Sequence, residues 1–431
     1  MILNERDLRE ARTLQAEISA ALSSAKVFDS VIAGLPHQVV DGYRRSLEAH
    51  TRELNLLIEA YEAAKGGDYE DLKKRAGADP GLALIVARIS NQLSQKDLAR
   101  RLGLKEQQIQ RYELDRYRSI SLANFQKIAS ALNVHWEMNF SKWLGSPWGY
   151  VDQISMPTIK KLLRHAQSEK WFAGQLPEDE TEGLNYVHRY ISEHVSRHGS
   201  PSLLRTGLNV KDHTGDLLLL AWKARVTKRA EQVIEESKPE YRPLSVNWLL
   251  DLIQQSKFDD GPARAKAMLL QQGIVLVAER QIMGMKIDGA AFLVGGVPVI
   301  GLTVRRDTVD GFWYTLMHEV AHVILHYRTG LTSGFFDESE ATMVDELEAE
   351  ADEFASNILI PEERWRRAPA RIAKSAAPVE AFASQIGIHS AIVYGRIQKE
   401  RNDYATFSNK IGRGQVRKYL FQQTEHKDVE H

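Results

Sequence analysis

Apolar residues recur at helical spacing through most of the chain. In SLEAHTRELNLLIEAYEAA, Leu47, Leu54, Leu56, Leu57 and Ile58 fall near that spacing with charges between them, so residues 1–65 read as helix. Gly66-Gly67 stops the run, and GGDYEDLKKRAGADPG reads as a short linker. Residues 82–135 form a compact helical block, closed by the Trp-, Gly- and Pro-rich stretch WLGSPWGYVDQISMP. Residues 156–198 and 216–236 read as helix on either side of the polar loop SRHGSPSLLRTG. From 244 the character changes. LSVNWLLDLIQQSK and PARAKAMLLQQ are helical, with Pro262 suited to a first helical turn. GIVLVAE is β-branched and apolar and reads as a strand. AAFLV-GG-VPVIGLTV reads as a hairpin, because Gly295-Gly296 supplies the positive φ angles of a two-residue turn. A long helix carrying HEVAH, an acidic stretch and further helices close the chain.

The block from 82 to 135 carries the first chemical signal. Leu98, Ala99 and Leu102 share one helix face, Gly103 permits a sharp turn, and Ile109 anchors a second helix, KEQQIQRYE. Two helices joined by a tight Gly-containing turn are a DNA-reading unit. The block holds nine basic and four acidic residues, a positive patch of the kind phosphate contact requires. Gln pairs with adenine edges and Arg with guanine edges in the major groove. The order of residue types resembles the XRE family of phage-repressor-like regulators along the whole segment. That resemblance implies Gln95 on phosphate and Glu106, Gln107 and Arg111 facing bases. Lys105 and Arg116 belong to the same positive patch and complete the expected DNA contacts. The leading helices, around LNLLIEAYEA, are similar to the N-terminal part of HigA-type antitoxins.

The second signal is MHEVAHVILH. Residues four apart share a helix face, so His318 and His322 can hold one Zn²⁺ from the same side. Glu319 can then take a proton from water at that ion, the H-E-x-x-H arrangement of metallopeptidases. His326 extends the row, but four residues advance a helix by about 6 Å, so three such ligands would not converge on one ion. It reads as a helix-surface histidine. A catalytic zinc needs a third protein ligand and an open position. DELEAEADEFASNILIP offers Glu348 as that ligand, with Asp345 a weaker competitor. Asp352, on the same face as Glu348, can accept a hydrogen bond from the far nitrogen of a ligand histidine. Thr329 to Asn357 holds nine acidic residues and no Lys or Arg, and Glu346, Glu350 and Glu353 read as solvated. Tyr314 and His389 are candidates for stabilising an oxyanion. FDDGPARAKAMLLQQGIVLV, DGAAF, PVIGLTVRRDTVDGFWYTLMHEVAHVILH, ELEAEADEFASNILIP and GIHSAIVYGRIQ together resemble the ImmA/IrrE family of metallopeptidases, in family order. The resemblance implies His318, His322 and Glu348 as zinc ligands and Glu319 as general base. At Asp352 that family often has Asn, which also accepts a hydrogen bond.

Composition narrows the chemistry. Among 431 residues there is no cysteine, which excludes disulfides, thiolate metal sites and thiol catalysis. Any metal must be held by His, Asp or Glu. The net charge of −1 makes any nucleic-acid site a local patch. The first residues are too charged for a signal peptide, and Gly289–Val304 is too short to span a membrane, so a soluble cytoplasmic protein is expected. The expected fold is mainly α with a small β-sheet. A helical N-terminal region spans 1–80, an XRE-type helix-turn-helix domain 81–140, and a mostly helical linker or sensor 141–243. An α+β, zincin-like metallopeptidase domain spans 244–431. The combination suggests a regulator, expected as a homodimer on double-stranded operator DNA, whose peptidase half cleaves a repressor or antitoxin-type protein, or itself. The alternative is a non-catalytic HigA-like antitoxin or repressor that uses the zincin fold as a sensor or toxin-docking surface.

Overall fold

The computed structural model describes residues 1–77, 79–117, 120–135, 156–172, 179–195, 213–327, 331 and 341–421. The predicted loop SRHGSPSLLRTG lies outside them. In chain order the first helices are α1 (Glu5–Ser23), α2 (Ala25–Val31), α3 (His37–Lys65), α4 (Glu70–Ala76) and α5 (Pro80–Ser90). Then come α6 (Gln95–Leu102), α7 (Glu106–Leu114), α8 (Leu122–Ala131), α9 (Met156–Ser168), α10 (Glu180–Val195) and α11 (His213–Ser237). After α12 (Trp248–Gln254) and α13 (Gly261–Gln271), three strands follow: β1 (Val275–Ala278), β2 (Gly289–Val294) and β3 (Val297–Leu302). Helices α14 (Val309–His326), α15 (Ala341–Leu359), α16 (Glu362–Trp365), α17 (Ala376–Ile386), α18 (Ser390–Arg401) and α19 (Arg417–Leu420) complete the order. The predicted fold class, mainly helical with a small sheet, is what forms. No described helix is long and apolar enough to cross a membrane.

The chain divides into two units, Met1–Val27 with Leu47–Pro147, and Phe28–Ser46 with Trp148–His431. This partition differs from the four consecutive segments expected. Residues 28–46 join the second unit because their polar groups are satisfied there. The Tyr43 hydroxyl donates to the Pro243 carbonyl at 2.8 Å, and the Ser46 hydroxyl donates to the Leu325 carbonyl at 2.7 Å. Such ties leave no trace in local periodicity.

In the first unit, local signals set the helix ends. Asp79 caps α5, with Pro80 at its first position. Ser94 and Asp97 form a capping box on α6. Gly103 ends α6 in the left-handed region at φ +67°, which an L side chain adopts at a cost. A buried ion pair joins α5 to α7, with Arg88 Nη2 donating to Glu113 Oε2 at 2.8 Å. Arg88 also donates to the Leu3 and Leu93 carbonyls, so its charge is fully partnered inside the unit.

In the second unit, β3 is the central strand, parallel to β1 and antiparallel to β2. The hairpin register pairs Val294 with Val297 across Gly295-Gly296, whose φ angles are +59° and +88°, as the dipeptide predicts. One sheet face, with Val275, Val277, Phe292, Val294 and Val299, packs under α9, α10 and α11 in one hydrophobic core. Helices α9–α11, expected as linker or sensor, are therefore part of the core that supports the sheet. Gly301 makes room for α11, since a Cβ there would come within 2.7 Å of the Trp222 ring. The opposite face, through Gly289 and Leu302, meets α14. From Leu316 to His326 every residue of α14 is buried. A helix covered on all sides reads as apolar all round, and TLMHEVAHVILH does so apart from its His and Glu residues.

Candidate functional site

Thr308 caps α14, its hydroxyl accepting from the Gly311 N–H, and fixes where that helix begins. Three turns on, His318 and His322 present their Nε2 atoms to one point, 3.1 Å apart. Helix α15 supplies the third donor. Glu348 Oε2 lies 3.3 Å from His318 Nε2, and Oε1 lies 3.3 Å from His322 Nε2. The predicted buried side of α15 is observed: Ala351, Phe354 and Ala355 are all buried, which turns Glu348 and Asp352 toward α14. Asp345 is exposed and takes no part. A tetrahedral ion with bonds of about 2.0–2.1 Å needs donors about 3.3 Å apart, so this N,N,O set fits zinc.

The charges are arranged to suit. Burial disfavours the imidazolium of His318, but the hydrogen bonds it donates to Asp352 and Glu348 outweigh it and raise His318 to about 9. At His322 burial prevails and lowers the group to about 4. Burial opposes charge on Glu348 too, yet the two imidazoles bring it down to about 2. A carboxylate at neutral pH therefore faces the two rings.

Around the cluster, His318 Nδ1 lies 2.9 Å from Asp352 Oδ1, the contact expected to fix its tautomer. The Tyr314 hydroxyl donates to the same Asp352 oxygen at 2.9 Å and accepts from Lys399 Nζ at 2.7 Å. Tyr314 thus stands behind His318 and braces Asp352. His389 caps α18, its Nδ1 accepting from the Ala391 N–H. Glu319 is buried, and its carboxylate is seated against Gly289 at the start of β2: a Cβ there would come within 2.7 Å of Glu319 Oε1. A cavity of about 310 Å³ lies beside the first half of α14, with Leu302, Tyr314, Thr315 and Ile392 in its wall.

Two expectations are corrected. His326 is 2% exposed, not a surface residue, because Ser46 and its neighbours cover the end of α14. Its Nδ1 lies 3.0 Å from His322 Nδ1, and its Nε2 lies 3.1 Å from Glu350 Oε2. Glu350 is half-buried and partnered, not simply solvated. Together with Gly289 and Lys399, these residues escaped the sequence reading. The His row at a further spacing of four was the one visible trace.

In the helix-turn-helix, α6 and α7 meet through buried Leu98, Ala99 and Ile109. Lys105, Glu106, Gln107 and Arg111 are exposed at or along α7. Gln95 is half-buried, and its side-chain amide donates to Glu113 Oε2 at 2.7 Å. Arg116 lies 3.6 Å from Asp79 and adopts φ +51°.

These two sites coincide with two family matches. Residues 84–138 match the helix-turn-helix family model, and residues 271–396 match the IrrE N-terminal-like domain of the M78 peptidases. The chain thus joins an XRE-type DNA-binding domain to an IrrE-like peptidase-family domain. No curated protein and no solved structure matches it.

Proposed function

We propose that this protein is a DNA-binding regulator whose second unit is a zinc-dependent endopeptidase acting on a repressor or antitoxin-type protein. The carrying observation is the cluster of buried His318 and His322 with half-buried Glu348, and Glu319, next to His318 in the sequence, as buried as the two histidines. His318, His322 and Glu348 would hold the zinc. Zinc supplies Lewis acidity toward a scissile carbonyl and acidifies water. Glu319 takes the proton of the attacking water and returns it to the leaving amine. Asp352, braced by Tyr314 and Lys399, keeps His318 oriented. The cavity beside α14 gives a substrate side chain room next to the same helix. Lys105, Glu106, Gln107 and Arg111 present the chemistry for an operator's major groove, which would bring the peptidase to a promoter.

The test is Glu319→Gln, compared with wild type after zinc loading, in a cell extract whose new N-termini are read by mass spectrometry. New N-termini with wild type alone, at equal zinc content, support the endopeptidase. Identical profiles remove Glu319 from the chemistry and favour a binding protein.

A further inference from the structure

A histidine that offers Nε2 to a metal must carry its proton on Nδ1, and that N–H needs an acceptor when it is buried. Behind His318 the acceptor is Asp352. Behind His322, among the described residues, the neighbour of Nδ1 is not a carboxylate but His326, also on α14. His322 and His326 are 1% and 2% exposed, so water does not serve either ring. The contacts then dictate the protons. With the Nε2 lone pair of His322 toward the cluster, its Nδ1–H donates across 3.0 Å to His326 Nδ1. His326 must therefore carry its own proton on Nε2, which donates across 3.1 Å to Glu350 Oε2. The carboxylate ends the chain as a pure acceptor. Arg45 comes no closer than 4.0 Å to Glu350, and both side chains are substantially exposed, so that ion pair adds little.

We propose that His326 and Glu350 are positioning residues, a relay that holds His322 in the tautomer and ring orientation that binds metal. The inference rests on the zinc-centre reading and extends it to two residues outside the ligand set. It also explains why a third histidine, too far along the helix to bind the same ion, is buried beside the other two. Replacing His326 with an apolar ring strands a buried N–H, and His322 loses its preference for the binding tautomer.

The experiment measures zinc affinity of the full chain by competition with a chromophoric chelator, with circular dichroism as the check on folding. His326→Phe is expected to bind zinc 10–100-fold more weakly than wild type. Glu350→Leu is expected to weaken binding as well, and Glu350→Gln, whose amide oxygen still accepts from Nε2–H, to restore most of it. A purely structural role would not separate Leu from Gln in this way. Should His326→Phe fail to fold, ¹⁵N spectra of the histidine rings in zinc-loaded wild type decide the matter. Nδ1–H on His322 with Nε2–H on His326 supports the relay, and Nδ1–H on His326 overturns it. Zinc bound equally by wild type and folded His326→Phe overturns the relay and leaves the zinc centre standing. A wild type that binds no zinc overturns both.

Discussion

Glycine 289 shows how a residue without a side chain can set the position of one with chemistry. Its missing Cβ leaves the space that the Glu319 carboxylate fills, with Leu302 closing the other side. In Gly289→Ala the added methyl meets Glu319 at both Oε1 and Cγ, so the carboxylate must move. Cleavage should fall about 10²-fold, as for a general base displaced from its geometry, while zinc content stays at the wild-type level. Unchanged turnover would show that Glu319 works from another position. Lys223 offers a pH test at the same scale. It is 5% exposed, its ammonium lies 4.8 Å from the Phe292 ring centroid, and burial lowers its pKa to about 7. Below that value the lysine is charged in both states and the folded protein bears the full cost of the buried cation. Between about 7 and 10.5 the unfolded chain holds a proton that the folded chain has released, so this contribution to stability improves with pH. The slope approaches about 1.4 kcal/mol per pH unit. The stability difference between Lys223→Met and wild type, followed by urea unfolding from pH 7.5 to 9.5, should therefore shrink as pH rises. Taking the difference cancels groups common to both, His318 among them. A constant difference would mean that Lys223 is not the titrating group.

Among the elements, α14 and α7 make their sites in opposite ways. Helix α14 is buried from Leu316 to its end, so each polar side chain there must find a partner, and those partners form the site. Glu348, Asp352 and Glu350 all come from α15, which makes the pairing of these two helices the structural basis of the centre. Helix α7 instead keeps its chemistry on an exposed face, while Ile109 and Glu113 fix it from behind. Arg111 can thus be changed without disturbing the fold. Arg111→Ala is expected to lose about 1–3 kcal/mol of specific DNA affinity with relaxed preference at one base pair, at unchanged melting temperature. Gel shifts on DNA upstream of the protein's own reading frame measure it. Equal affinity would move the base contacts to another residue of the helix. Gln95 carries a different lesson. Its amide is engaged with Glu113, so it ties α6 to α7 within the unit.

At the scale of the whole molecule, metal and stability are linked. The three donors are brought together only when α14 and α15 are folded and packed, so zinc held by them would bind the folded state alone and stabilise it by mass action. At free zinc a thousandfold above its dissociation constant that amounts to about 4 kcal/mol. Exhaustive chelation should lower the melting temperature by several degrees, and zinc should restore it. A melting curve indifferent to chelation would argue against a metal centre. The second unit also includes Phe28–Ser46, so an N-terminal truncation that removes them would expose the end of α14 and with it His326.

Sequence alone determined whatever a single stretch of backbone can encode. Helical spacing places His318 and His322 on one face, and Glu348 and Asp352 on another, wherever those helices lie. Gly295-Gly296 makes its hairpin, and Ser94 with Asp97 caps its helix, through contacts only a few residues long. The grouping of His318, His322 and Glu348 could be read because its spacing is local on each helix and the resembling pattern spans both. Tertiary structure decided what depends on which surfaces meet. A histidine one turn past His322 could face water or core with the same sequence around it. The packing of Ser46 and α15 against that end of α14 buries it and gives it Glu350. Likewise, nothing in a glycine at the start of a strand announces a carboxylate packed against it from the covering helix. Burial and partnership are properties of two elements together, and periodicity reports on one element at a time.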